Sequence, residues 1–523
     1  MMLKIGPLYL KEILVLLLLG TALNTSAQKL KSGPVYEAEW HSYYPNIRGQ
    51  DENNVYLANK DSQDIIVEAF DKNTLKRVYS KRYEDMVPFG KLKSLINLEK
   101  ILFIDGSILV FVSGGYFDGS YSELYVHRIE AVTGKKLSTD TLIHKKIEDL
   151  PVFSTHEKLA NRLGSYRIHS CKGNKRFVVN YATRNYELER YFDQIMVLNG
   201  EMEVLLNKEF VRKKASELVP ANVDVDSEGS LYYLEDNNIV FLDFYQEYEE
   251  WREPLPSNIF ESNAFPSRIT ATFNNEGNLI ITAAYVTEDI KDTDENKPRP
   301  ETREGDTQVE GIVYIEVDAF NKEIAKVQVN KFDKAFLDEF KTEDYIKYNE
   351  EAEFNNVFTW FQYRFTDSAT ILIGHEVPKI QGVPNFDYKS LVAFSFDREG
   401  RLNWAHHIPK WQVANEKNTI YGYMSFLGEE KLHIFFNDDE GNFEGDQRQV
   451  LDLRKLNHSK YAIPVLYSID LKTGKMEYKV ERAWGNDKDL KLDPYLSEYS
   501  EQGAPVFIFA KDRRDYRLSR IDP

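Results

Sequence analysis

Short segments in which apolar and polar residues alternate recur along the whole chain, and polar turns join them in pairs. Alternation with a period of two predicts strands, and Asp, Asn and Gly supply the backbone conformations that tight turns need. One family of turns has the form Asp/Asn-x-x-Gly/Asn-Lys/Arg. Members of this family occur at Phe70–Leu75, Ala131–Lys135, Leu198–Glu201, Phe320–Glu323, Phe396–Arg401 and Ile469–Lys475.

A second family of turns, with Gly or acidic residues at the tip, joins the apolar strands between these hairpins. Its members lie at 104–110, 172–179, 226–232, 275–281, 366–372 and 428–434. The two families alternate along the chain, so the repeating unit is predicted to have four antiparallel strands. The first hairpin of each unit gives the inner strands and the second gives the outer ones, which is the arrangement of a propeller blade.

The number of blades follows from the number of hairpins. Six blades are counted from Gly106 to Gly474, including a compact unit at 223–251, and strands are left over at 55–80 and 506–521. A ring of sheets has an open seam unless the chain ends share a blade, so the leftover strands are joined into a seventh. We therefore predict an all-β protein, a β-propeller of seven four-stranded blades closed by both termini, with six or eight blades as alternatives.

The first 27 residues have the pattern of a cleaved secretory signal. Lys4 and Lys11 give a basic start, an apolar run follows, and 25–27 has the small residues that precede a cleavage site. The alternative is a membrane anchor, but the run is about half of the ~20 residues that cross a bilayer. We predict a signal peptide at 1–27 and one domain at 28–523, without a membrane span, exported to the periplasm, the cell surface or the medium. The single cysteine excludes an intramolecular disulfide, which suits a bacterial periplasm or surface.

Two segments are predicted to be insertions in the propeller. Residues 286–308 are rich in charged residues, Pro and Thr and almost lack apolar ones, which predicts a mobile acidic loop. Residues 334–353 carry aromatic and aliphatic residues at roughly helical spacing, which predicts a short helical insertion packed on the propeller.

Charge and motifs narrow the function. A net charge of -18 argues against nucleic acid as a partner. The chain contains no Gly-x-Ser-x-Gly, His-Glu-x-x-His or phosphate-binding glycine loop. We therefore expect an exported, monomeric and non-catalytic propeller that binds protein or glycan through its loop-rich face. The alternatives are a propeller enzyme that cleaves polysaccharide or peptide, and a structural component of a surface assembly.

Two outer hairpins resemble those of a known class of propellers. The segments Ser395–Trp404 and Ser468–Lys475 are similar to the outer hairpins of quinoprotein-like and WD40-like propellers. The first also resembles the Asp-box of sialidase propellers but lacks its Gly-x-Thr-Trp ending. The resemblance implies the propeller fold, and no catalytic residue is carried over from it.

One acidic segment has the spacing of a calcium loop. Asp224, Asp226 and Glu228 stand at the first, third and fifth positions, a glycine follows, and Glu235 is the twelfth residue. Oxygen ligands at this spacing are typical of an EF-hand. The flanking residues read as strands, however, and a blade turn also explains the segment from Asp226 onward. No cofactor is expected, and calcium is the one ion that the sequence leaves open.

A cluster of aromatic residues and histidines is the candidate ligand site. Trp404, His406, His407 and Trp411 lie close together in sequence, and the two histidines are consecutive in a predicted strand, so they point to opposite faces. One imidazole beside an indole could form a sugar platform or hold a general base. The alternative interpretation is a buried tryptophan with histidines at a strand end.

Overall fold

The computed structural model describes most of the chain from Lys29 onward. The described residues are 29–37, 46–61, 64–84, 86, 93–116, 121–146, 165–171, 173, 175–185, 190–212, 221–235, 238–256, 269–285, 309–339, 358–376, 386–388, 390–414, 421–445, 447–448, 454, 456, 459–480, 491–494, 497, 506–511 and 515–522. The predicted signal peptide at 1–27 and the predicted acidic loop at 286–308 lie outside them.

Eight antiparallel sheets follow one another along the chain, and the first seven are meanders of four strands in sequence order. The strands of blades 1 to 4 are Asn46–Gln50, Asn54–Asp61, Asp64–Asp71 and Arg77–Tyr83; Lys93–Ile104, Ser107–Tyr116, Tyr121–Glu130 and Lys135–Lys146; Ser165–Ser170, Arg176–Asn185, Arg190–Asn199 and Val204–Arg212; and Ala221–Val225, Leu231–Glu235, Asn238–Asp243 and Glu249–Pro254. Those of blades 5 to 7 are Thr270–Phe273, Leu279–Tyr285, Gly311–Asp318 and Glu323–Lys331; Phe358–Phe365, Ala369–Glu376, Leu391–Asp397 and Leu402–Ile408; and Met424–Leu427, Lys431–Asp439, Ala462–Asp470 and Met476–Val480.

Blade 8 is built from both ends of the chain. Its first three strands are Lys491–Leu492, Val506–Lys511 and Asp515–Asp522, and its outermost strand is Lys29–Ser32. Lys29 pairs with Asp522 and Ser32 with Ser519, and the short strand Tyr36–Glu37 pairs with the start of the third strand. The termini therefore share a blade, and no seam is left between the first and last sheets.

A hydrophobic cluster fills the space between every two neighbouring sheets, and this makes the arrangement a closed ring. Ile108 and Val67 belong to the cluster between blades 1 and 2, and equivalent clusters follow around the ring. The last cluster joins blade 8 to blade 1 through Ile508, Leu518 and Leu57. The first strands contact each other between blades 1 and 2, 2 and 3, 4 and 5, and 5 and 6, so the first strands lie at the centre of the ring. The chain is a β-propeller.

The favoured count of seven blades is wrong, and the ring has eight. The strands at 55–80 do not share a sheet with those at 506–521, because they bury one face against blade 2 and the other against blade 8. They are completed by Asn46–Gln50, whose one large apolar residue gives no visible alternation. The final hairpin is completed by Lys29–Ser32, in which Leu30 is the one apolar residue. An innermost and an outermost strand have little to bury, so their sequences carry little signal.

The direction of the strands gives the two faces of the ring different characters. Both families of short turns, between first and second and between third and fourth strands, lie on one face, which we call the turn face. In blades 1 to 7 these turns have two to five residues. The opposite face, which we call the loop face, carries the connections between second and third strands and between blades. Long connections on this face begin at Tyr285, Lys331 and Asp439 and end at Gly311, Phe358 and Ala462.

Part of the predicted helical insertion is a helix. The α-helix Lys334–Glu339 follows the last strand of blade 5, and its Phe336 is buried against Phe332 and Phe394. The remainder of the insertion, at 340–353, lies outside the described residues. In the described part of the chain, no helix has the length and apolarity needed to cross a membrane.

Candidate functional site

A cavity of about 710 Å³ lies at the centre of the ring, and we call it the axial cavity. Its walls come from the first strands of blades 1, 2, 6 and 7 and from the segment after the two-residue first strand of blade 8. Pro494 and Ser497 of that segment line the cavity, and the buried Ser497 hydroxyl accepts a hydrogen bond from the N–H of Ile508 at 2.8 Å. Cavities of this size are typical of small-molecule sites.

Irregular strand pairing puts two of the charged side chains on the wall. In blade 1, Ile47 pairs with Leu57 and Gly49 with Tyr56, so Arg48 is the extra residue of a β-bulge. In blade 2, Glu99 occupies the equivalent extra position. A bulge changes the direction of a side chain and is common beside binding sites. Both bulged residues line the axial cavity.

The lining of the cavity is polar and carries more positive than negative charge. Of the lining residues that the structure describes, Arg48, Lys100 and Arg364 are cationic and Glu99 is the one carboxylate. The two Nη atoms of Arg364 donate hydrogen bonds to the carbonyl oxygens of Tyr363 at 3.0 Å and of Ser425 at 3.1 Å. These two carbonyl acceptors help to fix the position of the guanidinium group.

The neighbouring contacts hold this wall together across blades. The Ser425 hydroxyl of blade 7 donates to Oε1 of Gln362 on blade 6 at 2.5 Å. In blade 2 the Ser113 hydroxyl donates to the Glu99 carboxylate from the second strand. The Arg48 side chain donates to the Ala58 carbonyl within its own blade, at 3.4 Å. Hydrogen bonds within the propeller therefore hold the side chains of Arg48, Glu99 and Gln362 in place.

A second feature is a layer of short elements on the loop face of blades 6 and 7, which we call the loop-face layer. It comprises the paired strands Phe386–Tyr388 with Gln412–Ala414 and Phe443–Glu444 with Gln447–Arg448, and the 3-10 helices Glu440–Asn442 and Ser459–Tyr461.

A buried ion pair fixes this layer to blade 7. Arg448 Nη2 lies 2.6 Å from Asp438 Oδ2, with the two side chains 2% and 0% exposed. Arg448 also donates to the Tyr467 hydroxyl at 2.8 Å, and Asn442 donates to Asp438 Oδ1 at 2.7 Å. Burial raises the pKa of Tyr467 to about 12. A buried pair with this many hydrogen bonds gives the layer one fixed position.

A buried lysine supports the same layer from blade 6. Lys410 Nζ lies 3.1 Å from His375 Nε2 and 3.0 Å from Gln412 Oε1. Burial and the positive charge of Lys410 lower the pKa of His375 well below its usual value. The neutral imidazole can therefore accept a hydrogen bond from the ammonium group. Gln412 continues the network by donating to the Asn437 carbonyl at 2.7 Å.

The four residues of the predicted aromatic site divide into two places. Trp404 is 9% exposed and packs on the outer hairpin of blade 7, where its Nε1 donates to the Leu471 carbonyl at 3.2 Å. His406 stands beside it, with ring centroids 5.3 Å apart, and its Nε2 donates to the Gly474 carbonyl at 2.6 Å. Burial lowers the pKa of His406.

The other two lie toward the loop face. His407 is 6% exposed, and burial together with the charge of Arg448 lowers its pKa to about 3. Trp411 is half-buried, and its carbonyl accepts a hydrogen bond from Leu456 N–H at 3.0 Å. None of the four residues lines the axial cavity. A ligand-binding role for Trp404, His406, His407 and Trp411 stays a prediction.

The predicted calcium residues belong to a turn and to its neighbours. Asp226 Oδ1 accepts three backbone N–H groups, from Glu228, Gly229 and Ser230, at 2.7 to 2.9 Å. Asp224 Oδ2 accepts the Thr272 hydroxyl of blade 5 at 2.9 Å. The Asp226 bonds stabilise the turn between the first two strands of blade 4, and the Asp224 bond joins blade 4 to blade 5.

Glu235 lies apart from that turn. It ends the strand Leu231–Glu235, about 13 Å along the strand from Leu231 at the usual rise per residue. Within the described residues, no group of three or more His, Cys, Asp and Glu side chains is arranged to hold a metal ion. Calcium binding at Asp224, Asp226, Glu228 and Glu235 stays a prediction.

The residues of the axial cavity were missed by sequence reasoning. Arg48, Lys100 and Arg364 stand in three different blades and form no motif. Ring closure alone brings them together. A charged residue inside an otherwise apolar first strand, such as Glu99-Lys100 between Leu98 and Ile101, is the one local signal that could have marked them.

The comparisons with known proteins found similar solved structures but no family and no curated relative. No protein-family model matches the chain, and no curated protein matches its sequence. Similar solved structures include Sqt1 from Saccharomyces cerevisiae, with 8% identity over 94% of this chain and 99% of that one and a TM-score of 0.41. Others are the WD40 domain of SCAP from fission yeast (7% identity, 94% of both chains, TM-score 0.34) and the β-propeller domain of the Trilobed protease from Pyrococcus furiosus (9%, 82% and 96%, TM-score 0.36). The closed ring of eight sheets itself defines the class.

Proposed function

We propose that this chain is an exported, monomeric, non-catalytic propeller that binds a protein or glycan partner through its loop face. The observation that carries the proposal is the difference between the two faces. In blades 1 to 7 the turn face is closed by turns of two to five residues, whereas the loop face carries the helix Lys334–Glu339 and the loop-face layer. Long connections on a rigid scaffold are where binding residues usually lie.

The loop-face layer supports the proposal because it is held firmly and offers an exposed aromatic side chain. Tyr461 is 44% exposed, and the Lys460 ammonium lies 4.5 Å from its ring centroid. Exposed Tyr residues on a rigid support are frequent centres of binding energy. The Arg448–Asp438 pair fixes the elements around it.

The enzyme alternative would need paired carboxylates around the axial cavity. Among the described residues that line it, Glu99 is the single carboxylate, beside three cations. The structural-assembly alternative would need a continuous apolar patch on outer strands. The exposed Val78, Leu137, Val204 and Val329 each stand on the outermost strand of a different blade. Neither observation favours these alternatives over binding.

The test compares one exposed tyrosine on each face. The mature protein is screened against a glycan array and against cross-linked envelope proteins, and the dissociation constant of each identified partner is measured for the wild type, Tyr461→Ala and Tyr245→Ala. Tyr245 lies in a turn of blade 4 on the turn face and is 73% exposed. We expect Tyr461→Ala to weaken binding about tenfold and Tyr245→Ala to leave it unchanged.

Three other results would contradict the proposal. Equal loss in both variants, or loss in Tyr245→Ala alone, would contradict binding at the loop face. Turnover of a glycan or peptide by the wild-type protein would replace the proposal by the enzyme alternative. A glycan hit and a protein hit each support it and identify the class of partner.

A further inference from the structure

The axial cavity has a charge opposite to that of the whole protein. The chain carries a net charge of -18, with 84 acidic and 66 basic residues. In the described part of the cavity wall, the charged residues are three cations and one carboxylate. A local excess of positive charge inside an acidic molecule attracts anions to that place.

The cations approach the cavity from opposite sides of the ring. Arg48 belongs to blade 1 and Lys100 to blade 2, whereas Arg364 belongs to blade 6. In a ring of eight, blades 2 and 6 stand opposite each other. Anionic groups bound by these side chains would therefore be separated across the cavity, so a ligand with two or more anionic groups matches them better than a single small ion.

The backbone is shaped to present these side chains. The bulge in blade 1 is at Arg48 itself, and the bulge in blade 2 is at Glu99, the residue before Lys100. Gly49 follows Arg48, and a Cβ atom added to it would come within 2.2 Å of Phe103 Cβ, so the first strands of blades 1 and 2 pack closely beside the cavity. Arg364 is fixed by two carbonyl acceptors, one of them on blade 7.

We propose that the axial cavity binds a small polyanion whose carboxylate or phosphate groups are held by Arg48 and Lys100 on one side and by Arg364 on the other. The planar guanidinium groups suit both anions, because they can donate two parallel hydrogen bonds to either. A volume of about 710 Å³ admits a molecule of metabolite or short-oligosaccharide size. This site is distinct from the partner surface proposed on the loop face.

The experiment is isothermal titration calorimetry of the mature protein with citrate, inorganic pyrophosphate and maltotriose, at low and at raised sodium chloride. The test variant is Arg48→Gln/Lys100→Gln. The control is Arg401→Gln/Lys431→Gln, which removes the same two charges from exposed positions in or beside turn-face turns. Arg364→Lys is a third variant, which keeps the charge and loses the planar donor pair.

We expect citrate, pyrophosphate or both to bind with one site per chain, more weakly at raised salt, and maltotriose not to bind. The test variant should weaken binding at least about tenfold, the control less than about twofold, and Arg364→Lys by an intermediate factor. Binding of citrate alone assigns the site to carboxylates, and binding of pyrophosphate alone assigns it to phosphates. Absence of binding by both anions, or equal weakening in test and control variants, would overturn the proposal.

The two proposals fail separately. Tyr461→Ala should bind citrate or pyrophosphate as the wild type does, and Arg48→Gln/Lys100→Gln should keep its affinity for the loop-face partner. Loss of anion binding in Tyr461→Ala would overturn a separate axial site. Unchanged melting temperatures of the variants without ligand show that the ring is intact in each.

Discussion

The turn face and the loop face use the same residue, aspartate, in two different ways. On the turn face, an Asp at the end of a third strand repeatedly accepts backbone N–H groups of the turn that follows. Asp71, Asp318, Asp397 and Asp470 do this in four blades, with N–O distances of 2.7 to 3.2 Å. These residues form the turn signature that recurs along the sequence.

On the loop face, the Asp438 carboxylate forms a buried ion pair with Arg448. Its side chain is fully buried and is bonded to the side chains of Arg448 and Asn442 as well as to the N–H of Asp439. The turn carboxylates stabilise the short turns that recur in the blades. Asp438 instead holds the loop-face layer on blade 7 through its ion pair with Arg448. The repeated carboxylates therefore belong to the common scaffold of the blades, and the buried Asp438–Arg448 pair belongs to the loop-face layer.

The largest predicted effect comes from breaking the unrepeated pair. Arg448→Met leaves the Asp438 carboxylate buried without its cation, and we expect a loss of about 3–5 kcal/mol in the free energy of unfolding, measured by urea denaturation. The loop-face partner should also bind less well, because the layer loses its anchor. Asp438→Asn/Arg448→Met removes both charges and should recover part of the loss. A single variant as stable as the wild type would contradict the role given to the pair.

A smaller effect is predicted inside the turn face, at two glycines with positive φ. Gly400 has φ +76°, and a Cβ atom there would lie 2.4 Å from Tyr314 of the neighbouring blade. Gly277 has φ +86° and nothing within 4 Å of the same position. Gly277→Ala should cost about 1 kcal/mol of backbone strain, and Gly400→Ala about 2–4 kcal/mol because overpacking is added. An equal decrease in melting temperature for Gly400→Ala and Gly277→Ala would show that the turns of the turn face do not support the contacts between blades.

A third prediction concerns pH and a histidine buried near the turn face. His433 is 2% exposed and its Nδ1 lies 2.9 Å from the Ser468 hydroxyl. Burial, aided by Lys431, lowers the pKa of His433 to about 4. The unfolded chain therefore binds the proton first as pH falls from about 6.5, and the folded state loses stability down to about pH 4 at up to about 1.4 kcal/mol per pH unit.

The measurement is the free energy of unfolding at pH 7, 6 and 5 for the wild type and His433→Gln. The variant has no group titrating at this position, so its stability should fall less steeply between pH 6.5 and 5, by about 1.5 kcal/mol in total. Its value at pH 7 serves as the reference for any packing change. Parallel pH profiles would show that His433 does not titrate in the way its burial requires.

The sequence predicted those parts of the fold that depend on local chemistry. Turn caps such as Asp71 and Asp470 can be recognised because the carboxylate and the N–H groups that it accepts lie within a few residues. The alternation of apolar residues found the strands in the middle of each blade for the same reason. The strands at Asn46–Gln50 and Lys29–Ser32 were missed because each has few apolar residues to bury. The favoured number of blades was therefore one too low.

The axial cavity could not be predicted in the same way. Arg48, Lys100 and Arg364 become neighbours only because the ring closes, and their separation in the sequence carries no information about that closure. Arg448 and Asp438 are only ten positions apart, yet their burial depends on how the loop-face layer folds back. Trp404 shows the converse, since its place between two blades matches the simpler of the two sequence interpretations, while its use for a ligand stays untested.

The smallest predicted effect is at the exposed counterpart of the buried pair. Arg401 Nε lies 3.0 Å from Asp397 Oδ2, with the arginine side chain 65% exposed. Water and salt screen such a pair, so Arg401→Gln should change the free energy of unfolding by less than about 1 kcal/mol, and less again at raised salt. The turn should persist, because Asp397 still accepts the N–H groups of Glu399 and residue 401. A loss as large as that of Arg448→Met, measured in the same denaturant series, would mean that ion pairs at the two faces are equivalent, and the distinction between repeated and unrepeated carboxylates would fail.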